Sequence, residues 1–354
     1  MAMSSDLERT TESILAYRDG FAEHENIHSI RLIKTEVAEP LVSIMIPTFR
    51  RPELLRESIA SALTQNVTVP YEVIVVDNDH ENTYPIKGIV EEFASPMLGL
   101  YRNESNIGMF GNWNRCLQLA RGRWVTILND DDMISPDFLS ECLAILQSKH
   151  AFLVACSSSI LDQRKNGQVR SIKTAVKCHL RILFDRMRKK VSTYHVEDYF
   201  ISNRHWGSLG VLMDRETALK LGGYDSRCYP SADYVFLVRF VLEKGSLLFL
   251  RKKLAIYRIN QNESQKPELL RGWVSQGLKL RGELARHIHA PARLLSAYSE
   301  MSAIQNVRNY KLFWSPEFDS AALLAELGLS DRNVSFRLRL ATGVLRIAMA
   351  LRTF

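Results

Sequence analysis

The alternation of apolar runs with amphipathic stretches constrains this chain most. "VSIMIPTF", "YEVIVVDND", a short "GLYRN" and "RWVTIL" each read as a strand. Helix-compatible segments such as "RPELLRESIASALTQN", "MFGNWNRCLQLARG" and "SPDFLSECLAILQSKH" stand between and after them. Leu54, Leu55, Ile59 and Leu63 fall at helical spacing, and Pro52 suits a first helical turn. The strands are continuous apolar runs rather than alternating ones, so both faces are to be covered. Four such units between residues 41 and 150 predict an α/β fold with a mostly parallel, doubly wound sheet.

In sheets of that kind ligands bind beyond the carboxyl ends of the strands. The polar residues gather at those ends: Pro47-Thr48 after the first strand, Asp77-Asn78-Asp79 after the second, Asp130 to Asp132 after the fourth. Three adjacent carboxylates repel one another. They can hold a divalent cation, cap the next helix or form a solvated turn. A cap needs one acid, and Ser135 is already placed to serve that helix. The strand-end position favours a cation, and Mg²⁺ or Mn²⁺ over Ca²⁺, because Mg²⁺ is held by one or two carboxylates together with substrate phosphates. No G-x-x-x-x-G-K-[ST] occurs, and no G-x-G-x-x-G follows a strand.

The bulk numbers are those of a globular protein: 354 residues, 46% hydrophobic, 24% charged, formal charge +7. The basic excess suits an anionic substrate, an acidic membrane surface or nucleic acid. Five scattered cysteines without a C-x-x-C pair read as free thiols in a reducing compartment. Asp6, Glu8 and Glu12 stand where a signal peptide would be apolar. No apolar run approaches the roughly 18 residues of a membrane span. A cytoplasmic location is expected. Residues 164–190 carry ten Lys or Arg and one acid, Asp185. These stretches lack interleaved aromatics, which argues against nucleic acid. Phe336, Leu340, Val344, Ile347 and Leu351 recur at helical spacing among arginines, as an interfacial helix or a subunit contact would have them.

"VSIMIPTFRRPELLRESIASALTQ", "EVIVVDND", "NIGMFGNWNRCLQLARGRWVTILNDDDMISPDF" and "LGGYD…ADYVFLVRF", in this order, resemble the family 2 inverting glycosyltransferases of the GT-A fold. The resemblance spans about residues 41 to 260. It implies a GT-A nucleotide-diphospho-sugar transferase domain over 41–262; the polar, helix-compatible residues before it read as an N-terminal helical extension over 1–40, and the helical pattern after it as a C-terminal region over 263–354. The resemblance also implies an inverting, metal-dependent transfer of a sugar from a nucleoside-diphosphate-sugar, a UDP-sugar first, to a hydroxyl of a glycan or lipid-linked acceptor. The setting would be surface polysaccharide synthesis, at the inner face of the membrane if the C-terminal basic helix binds it.

By position, the resemblance places Pro47, Thr48 and Arg50 in the first nucleotide-contacting segment. Asp77 or its neighbour Asn78 takes the base, and Asn106, Asn112 and Trp113 line the donor cleft. Asn129-Asp130-Asp131 occupies the D-x-D position, with Asp131 as metal ligand and Asp130 toward the ribose or sugar. Asp233 matches the second acid of an E-D pair and would be the general base. Ala232 stands where the Glu is usual, and Asn260 where a later His is usual. These two departures keep open an alternative, a non-catalytic nucleotide-sugar or glycan-binding relative acting as an assembly partner. His205 and Trp206 are candidates for the acceptor site.

Overall fold

The computed structural model describes residues 13–163, 190–201, 207–260, 266–330 and seven positions between 336 and 347. The basic run 164–189 and the acceptor candidates His205 and Trp206 lie outside the described residues.

A ten-stranded sheet forms the frame. Its strands are β1 (Ser29–Ile33), β2 (Val42–Thr48), β3 (Tyr71–Asp77), β4 (Leu98–Asn103), β5 (Trp124–Ile127), β6 (Met133–Ile134), β7 (Leu153–Asp162), β8 (Val191–Tyr194), β9 (Val211–Asp214) and β10 (Leu247–Ile259). They run in the order β1-β4-β3-β2-β5-β9-β7-β10-β6, and β8 also pairs with β10. The block β4-β3-β2-β5 is parallel. Its strands alternate with helices α1 (Pro52–Leu63), α2 (Ile86–Glu91), α3 (Gly108–Leu119) and α4 (Phe138–Lys149). The expectation of a mostly parallel sheet holds for this block and for the long parallel pair β7-β10. β9 runs antiparallel between β5 and β7, and the edge strands β1, β6 and β8 are antiparallel as well. The sheet is therefore mixed. The antiparallel members are short or come from irregular sequence, where periodicity carries little signal.

β2 and β3 are buried at every position, as their unbroken apolar runs require. Alternate residues feed opposite faces: Ile44, Ile46, Val73 and Val75 enter one core, and Met45, Ile74 and Val76 the other. α4 begins at Phe138 with Asp137 at the cap position, so Ser135 does not cap it.

The N-terminal extension is not helical where described. Residues 22–24 form a single 3₁₀ turn, and Ser29–Ile33 add an edge strand to β4. The physical reason is a polar clamp. Arg115 on α3 donates to the carbonyls of His24 and Ile27 and to Ser29 Oγ, so this segment is held extended along the sheet.

Beyond the frame lie α5 (Val196–Ile201), α6 (Arg215–Lys220), α7 (Ala232–Lys244), α8 (Pro267–Leu284), α9 (Ala292–Phe313) and α10 (Ser320–Glu326). The C-terminal helices are fused to the body at one end. Leu280, Leu284, Leu295 and Tyr298 join the core beneath the sheet, whereas Leu270, Val274, Ile304, Val307 and Leu323 form a separate cluster. Among the described residues no helix is long and apolar enough to cross a membrane.

Candidate active site

The triple-aspartate turn follows β5, whose ladder extends through Leu128 N to Met45 O at 2.9 Å. Ser58 Oγ on α1 ties the turn down by donating to Asp132 O at 2.6 Å. The three carboxylates then diverge. Asp130 Oδ2 accepts from Thr48 Oγ1 at 2.8 Å. Asp131 Oδ2 accepts from Arg51 Nη1 at 3.0 Å. Asp132 turns inward, accepting from the Arg258 backbone N–H at 3.0 Å and from Asn129 Nδ2 at 3.2 Å. The Arg258 side chain, 1% exposed, braces the turn from β10. It donates from Nε to Asp131 O at 2.9 Å, from Nη1 to Gln163 at 2.9 Å and from Nη2 to Glu57 at 2.6 Å.

Electrostatically this turn is under-neutralised. Burial, followed by the charge of Asp131, pushes Asp130 up to about 7 and Asp132 up to about 8. Burial raises Asp131 too, against the pull of Arg51. Among the described residues Arg51 is the ion-pair partner of both Asp130 and Asp131, at 3.7 and 3.0 Å. Two crowded carboxylates of hard oxygen, facing one cavity, fit a divalent cation. No set of three or more potential ligands gathers around one point among the described residues. Such a cation would need phosphate oxygens to complete its shell, as Mg²⁺ and Mn²⁺ do in substrate-assisted sites.

A cavity of about 1050 Å³ runs along these strand ends. Pro47, Thr48, Asn78, Asn106, Asn112, Trp113, Asp130 and Asp131 line it, together with Asp233. Two expected residues do not. Asp77 is fully buried under the floor, accepting from Arg102 Nε at 2.8 Å and from the Asp79 backbone N–H at 3.0 Å. Arg50 turns away to Asp79 and Glu81, and Arg51 lines the cavity in its stead. Arg50 has φ +56°, a left-handed residue that sends the two neighbouring side chains apart. Asn78 organises the wall: its Oδ1 accepts from Asn103 Nδ2 and the Ile107 N–H, and its Nδ2 donates to Asn106 and to Gly108 O. Trp113 is mainly a core residue, 7% exposed and edge-on to Phe110 and Tyr224.

Asp233 occupies the first turn of α7, where its Oδ1 accepts from the Tyr234 N–H at 2.7 Å. Its Oδ2 lies against Gly207, where an added Cβ would sit 1.9 Å from it, and Gly207 itself has φ +54°. Burial pushes the Asp233 carboxyl up to about 6, against the opposing backbone hydrogen bonds. Asp225, the nearby acid, instead caps a 3₁₀ turn and pairs with Arg227.

Arg51 and Arg258 are absent from the sequence-derived set. Arg51 is one half of an Arg-Arg doublet that sequence cannot resolve. Arg258 sits in the "YRIN" segment next to the noted Asn260, but its reach to the turn depends on β10 pairing with β6. The wall supplied by α8 and α9, including Trp273, and by Trp314 just after α9 carries no motif in the sequence.

Residues 43–205 match the profile of glycosyl transferase family 2. An uncharacterized glycosyltransferase of Methanocaldococcus jannaschii is 25% identical over 233 residues, 65% of this chain and 74% of the relative. The succinoglycan biosynthesis protein ExoO of Rhizobium meliloti is 34% identical over 101 residues, 28% of each chain. In fold the chain is similar to Staphylococcus aureus TarS 1–349 in complex with UDP, with TM-score 0.53, 15% identity and coverage of 82% of this chain and 76% of TarS. It is also similar to the mannosyltransferase PcManGT of Pyrobaculum calidifontis in complex with GDP-Man and Mn²⁺, with TM-score 0.51, 16% identity and coverage of 92% and 90%. The segment 43–205 is thus of the glycosyl transferase family 2 type, on a GT-A fold shared with TarS and PcManGT, with similarity to proteins of polysaccharide biosynthesis.

Proposed function

We propose that this protein is an inverting, metal-dependent transferase that moves a sugar from a nucleoside-diphosphate-sugar to a hydroxyl of a glycan or lipid-linked acceptor in surface polysaccharide synthesis. The observation that carries the reading is one cavity with Asp130 and Asp131 on one wall and Asp233 on another. An acid pair for the diphosphate and a separate raised-pKa carboxylate for the acceptor is the division of labour that direct displacement needs.

The Pro47-Thr48 segment and Asn78, Asn106 and Asn112 hold the nucleotide, and Asp130 the ribose or sugar. Asp131, with Asp130 beside it, would hold Mg²⁺ or Mn²⁺. That cation supplies Lewis-acid neutralisation of the leaving diphosphate. Asp233 accepts the proton of the acceptor hydroxyl. The hydroxyl oxygen forms the new bond to the anomeric carbon while the bond to the diphosphate breaks on the opposite face, which inverts the anomeric centre. A positioned base of this kind contributes roughly 10²–10⁴-fold. A carboxyl titrating at about 6 is mostly ionised at neutral pH and remains basic enough to take the proton.

UDP and GDP-Man in the fold relatives support a nucleoside diphosphate donor, and Mn²⁺ beside GDP-Man supports the metal. A UDP-sugar remains the first candidate. Thermal shift with UDP-, GDP- and TDP-sugars, each with and without Mn²⁺, tests donor and metal together. Stabilisation by none of them would overturn the reading.

A peripheral membrane contact belongs to the same proposal. Phe336, Leu340, Val344 and Ile347 are 80, 63, 59 and 62% exposed, whereas Thr342 and Leu345 face the body. An exposed apolar stripe in an arginine-rich stretch suits an anionic lipid interface at the cytoplasmic side.

A further inference from the structure

The cavity does not end at the base. It continues between α8 and α9, outside the profile-matched residues. On α8 the cavity-facing positions Trp273, Gly277 and Arg281 recur every four residues, one helical stripe about 12 Å long. On α9 the facing positions are Ser302, Asn306 and Asn309, again at helical spacing.

The α8 stripe is locked to the segment that leads into Asp233. Trp273 Nε1 donates to Pro230 O at 3.3 Å, which sets the indole plane. The Gln276 amide bridges the same segment, donating to Tyr229 O and accepting from the Ser231 N–H at 3.2 Å. Ser231 is two residues before Asp233, so the indole is held in register with the base. Gly277 leaves the floor between Trp273 and Arg281 bare, and an added Cβ would meet Arg281 Nη1 at 3.3 Å.

Arg281 is 7% exposed. Its Nε donates to Phe200 O at 2.9 Å and its Nη1 to Gly277 O at 3.4 Å, both neutral acceptors. Among the described residues no carboxylate pairs with it. A buried guanidinium at a cavity wall without a counter-charge is costly alone and is balanced by an anion entering the cavity. A flat indole two helical turns from it and a row of amide and hydroxyl groups opposite suit sugar rings, with their apolar faces and hydroxyl rims.

We infer that the groove between α8 and α9 is the acceptor subsite and that it takes an acidic glycan. One sugar ring lies on Trp273, and Arg281 receives a carboxylate or phosphate of the glycan. Hydroxyls bond to Ser302 and Asn306. The inference rests on the transferase reading for the role of Asp233, but the groove can be tested by binding alone.

The test is a glycan array carrying neutral, uronate-bearing and phosphate-bearing oligosaccharides, probed with the full chain, with UDP affinity measured in parallel by calorimetry. The wild type is expected to retain acidic glycans over neutral ones. The uronate and phosphate arms separate the two sources of charge. Trp273→Ala is expected to lose at least tenfold in retention, and Arg281→Gln to lose the preference for acid, with UDP affinity unchanged in both. Arg286→Gln, which removes an exposed charge beyond the groove, is expected to change nothing. Equal retention of neutral glycans, no retention at all, or an equal loss in Arg286→Gln would overturn the inference. Unchanged UDP affinity also shows that Arg281→Gln is folded, and absence of UDP binding in the wild type would sink the donor reading instead.

Discussion

Arg258 Nε donates to the main-chain carbonyl of Asp131 at 2.9 Å, so a buried arginine on β10 fixes the backbone of the residue assigned to the metal. The same guanidinium reaches Glu57 and Gln163, which ties α1, the residue after β7 and the aspartate turn to one group. Arg258→Met removes the partner of three acceptors, of which the Glu57 carboxylate is half-exposed and can turn to water. The substitution is expected to lower stability by about 2–4 kcal/mol. Mn²⁺-dependent donor affinity should fall about 10-fold or more, in line with outer-shell substitutions at metal sites. Calorimetry with UDP and Mn²⁺ checks this, and an unchanged affinity in a folded variant would show that the turn holds its shape without the brace.

Asp233 sets the acid limb of the rate profile. Its carboxyl is pushed up to about 6 and must be ionised to accept a proton. Transfer is therefore expected to fall about tenfold per pH unit below about 6. Asp233→Asn should abolish transfer and leave donor binding intact. A flat profile between pH 5 and 8 would remove Asp233 as the base.

Gly207 is the second control on that base. A methyl group there would sit 1.9 Å from Asp233 Oδ2, and φ +54° already disfavours a side chain. Gly207→Ala is expected to displace the carboxylate and lower kcat by about 10² with little change in UDP affinity. Equal loss in both quantities would point to general misfolding of the loop.

Asp130 is expected to destabilise the ligand-free protein. Its folded pKa, about 7, lies above its unfolded value, so the folded state binds the proton more tightly. Stability consequently falls as pH rises from about 4 to about 7. Asp130→Asn keeps an acceptor for Thr48 without the charge. It should raise Tm at pH 8 by about 2–4 °C, corresponding to about 1–2 kcal/mol, and give no gain near pH 4. The same variant should lose donor affinity. A lower Tm at pH 8 would mean that the ion pair with Arg51 outweighs the burial of the charge.

The C-terminal stripe predicts a surface effect. Leu340→Asp with Val344→Asp should reduce co-sedimentation with anionic lipid vesicles about tenfold without changing UDP affinity. Loss of a dimer, with no change in vesicle binding, would assign the stripe to a subunit contact.

Sequence alone determined the parallel block and the site's address. Unbroken apolar runs at Val42–Thr48 and Tyr71–Asp77 can be buried only in a two-sided sheet, and their polar ends must meet at its carboxyl edge. Thr48, Asn78 and Asp130 share the cavity for that reason. Tertiary structure decided what depends on pairing between distant segments. The edge strand Ser29–Ile33 is held by Arg115, and the aspartate turn by Arg258 across more than 120 residues. Left-handed backbone at Arg50 selected Arg51 for the cavity. The groove between α8 and α9 exists only because two helices bring separate stripes face to face, and neither stripe carries a motif by itself.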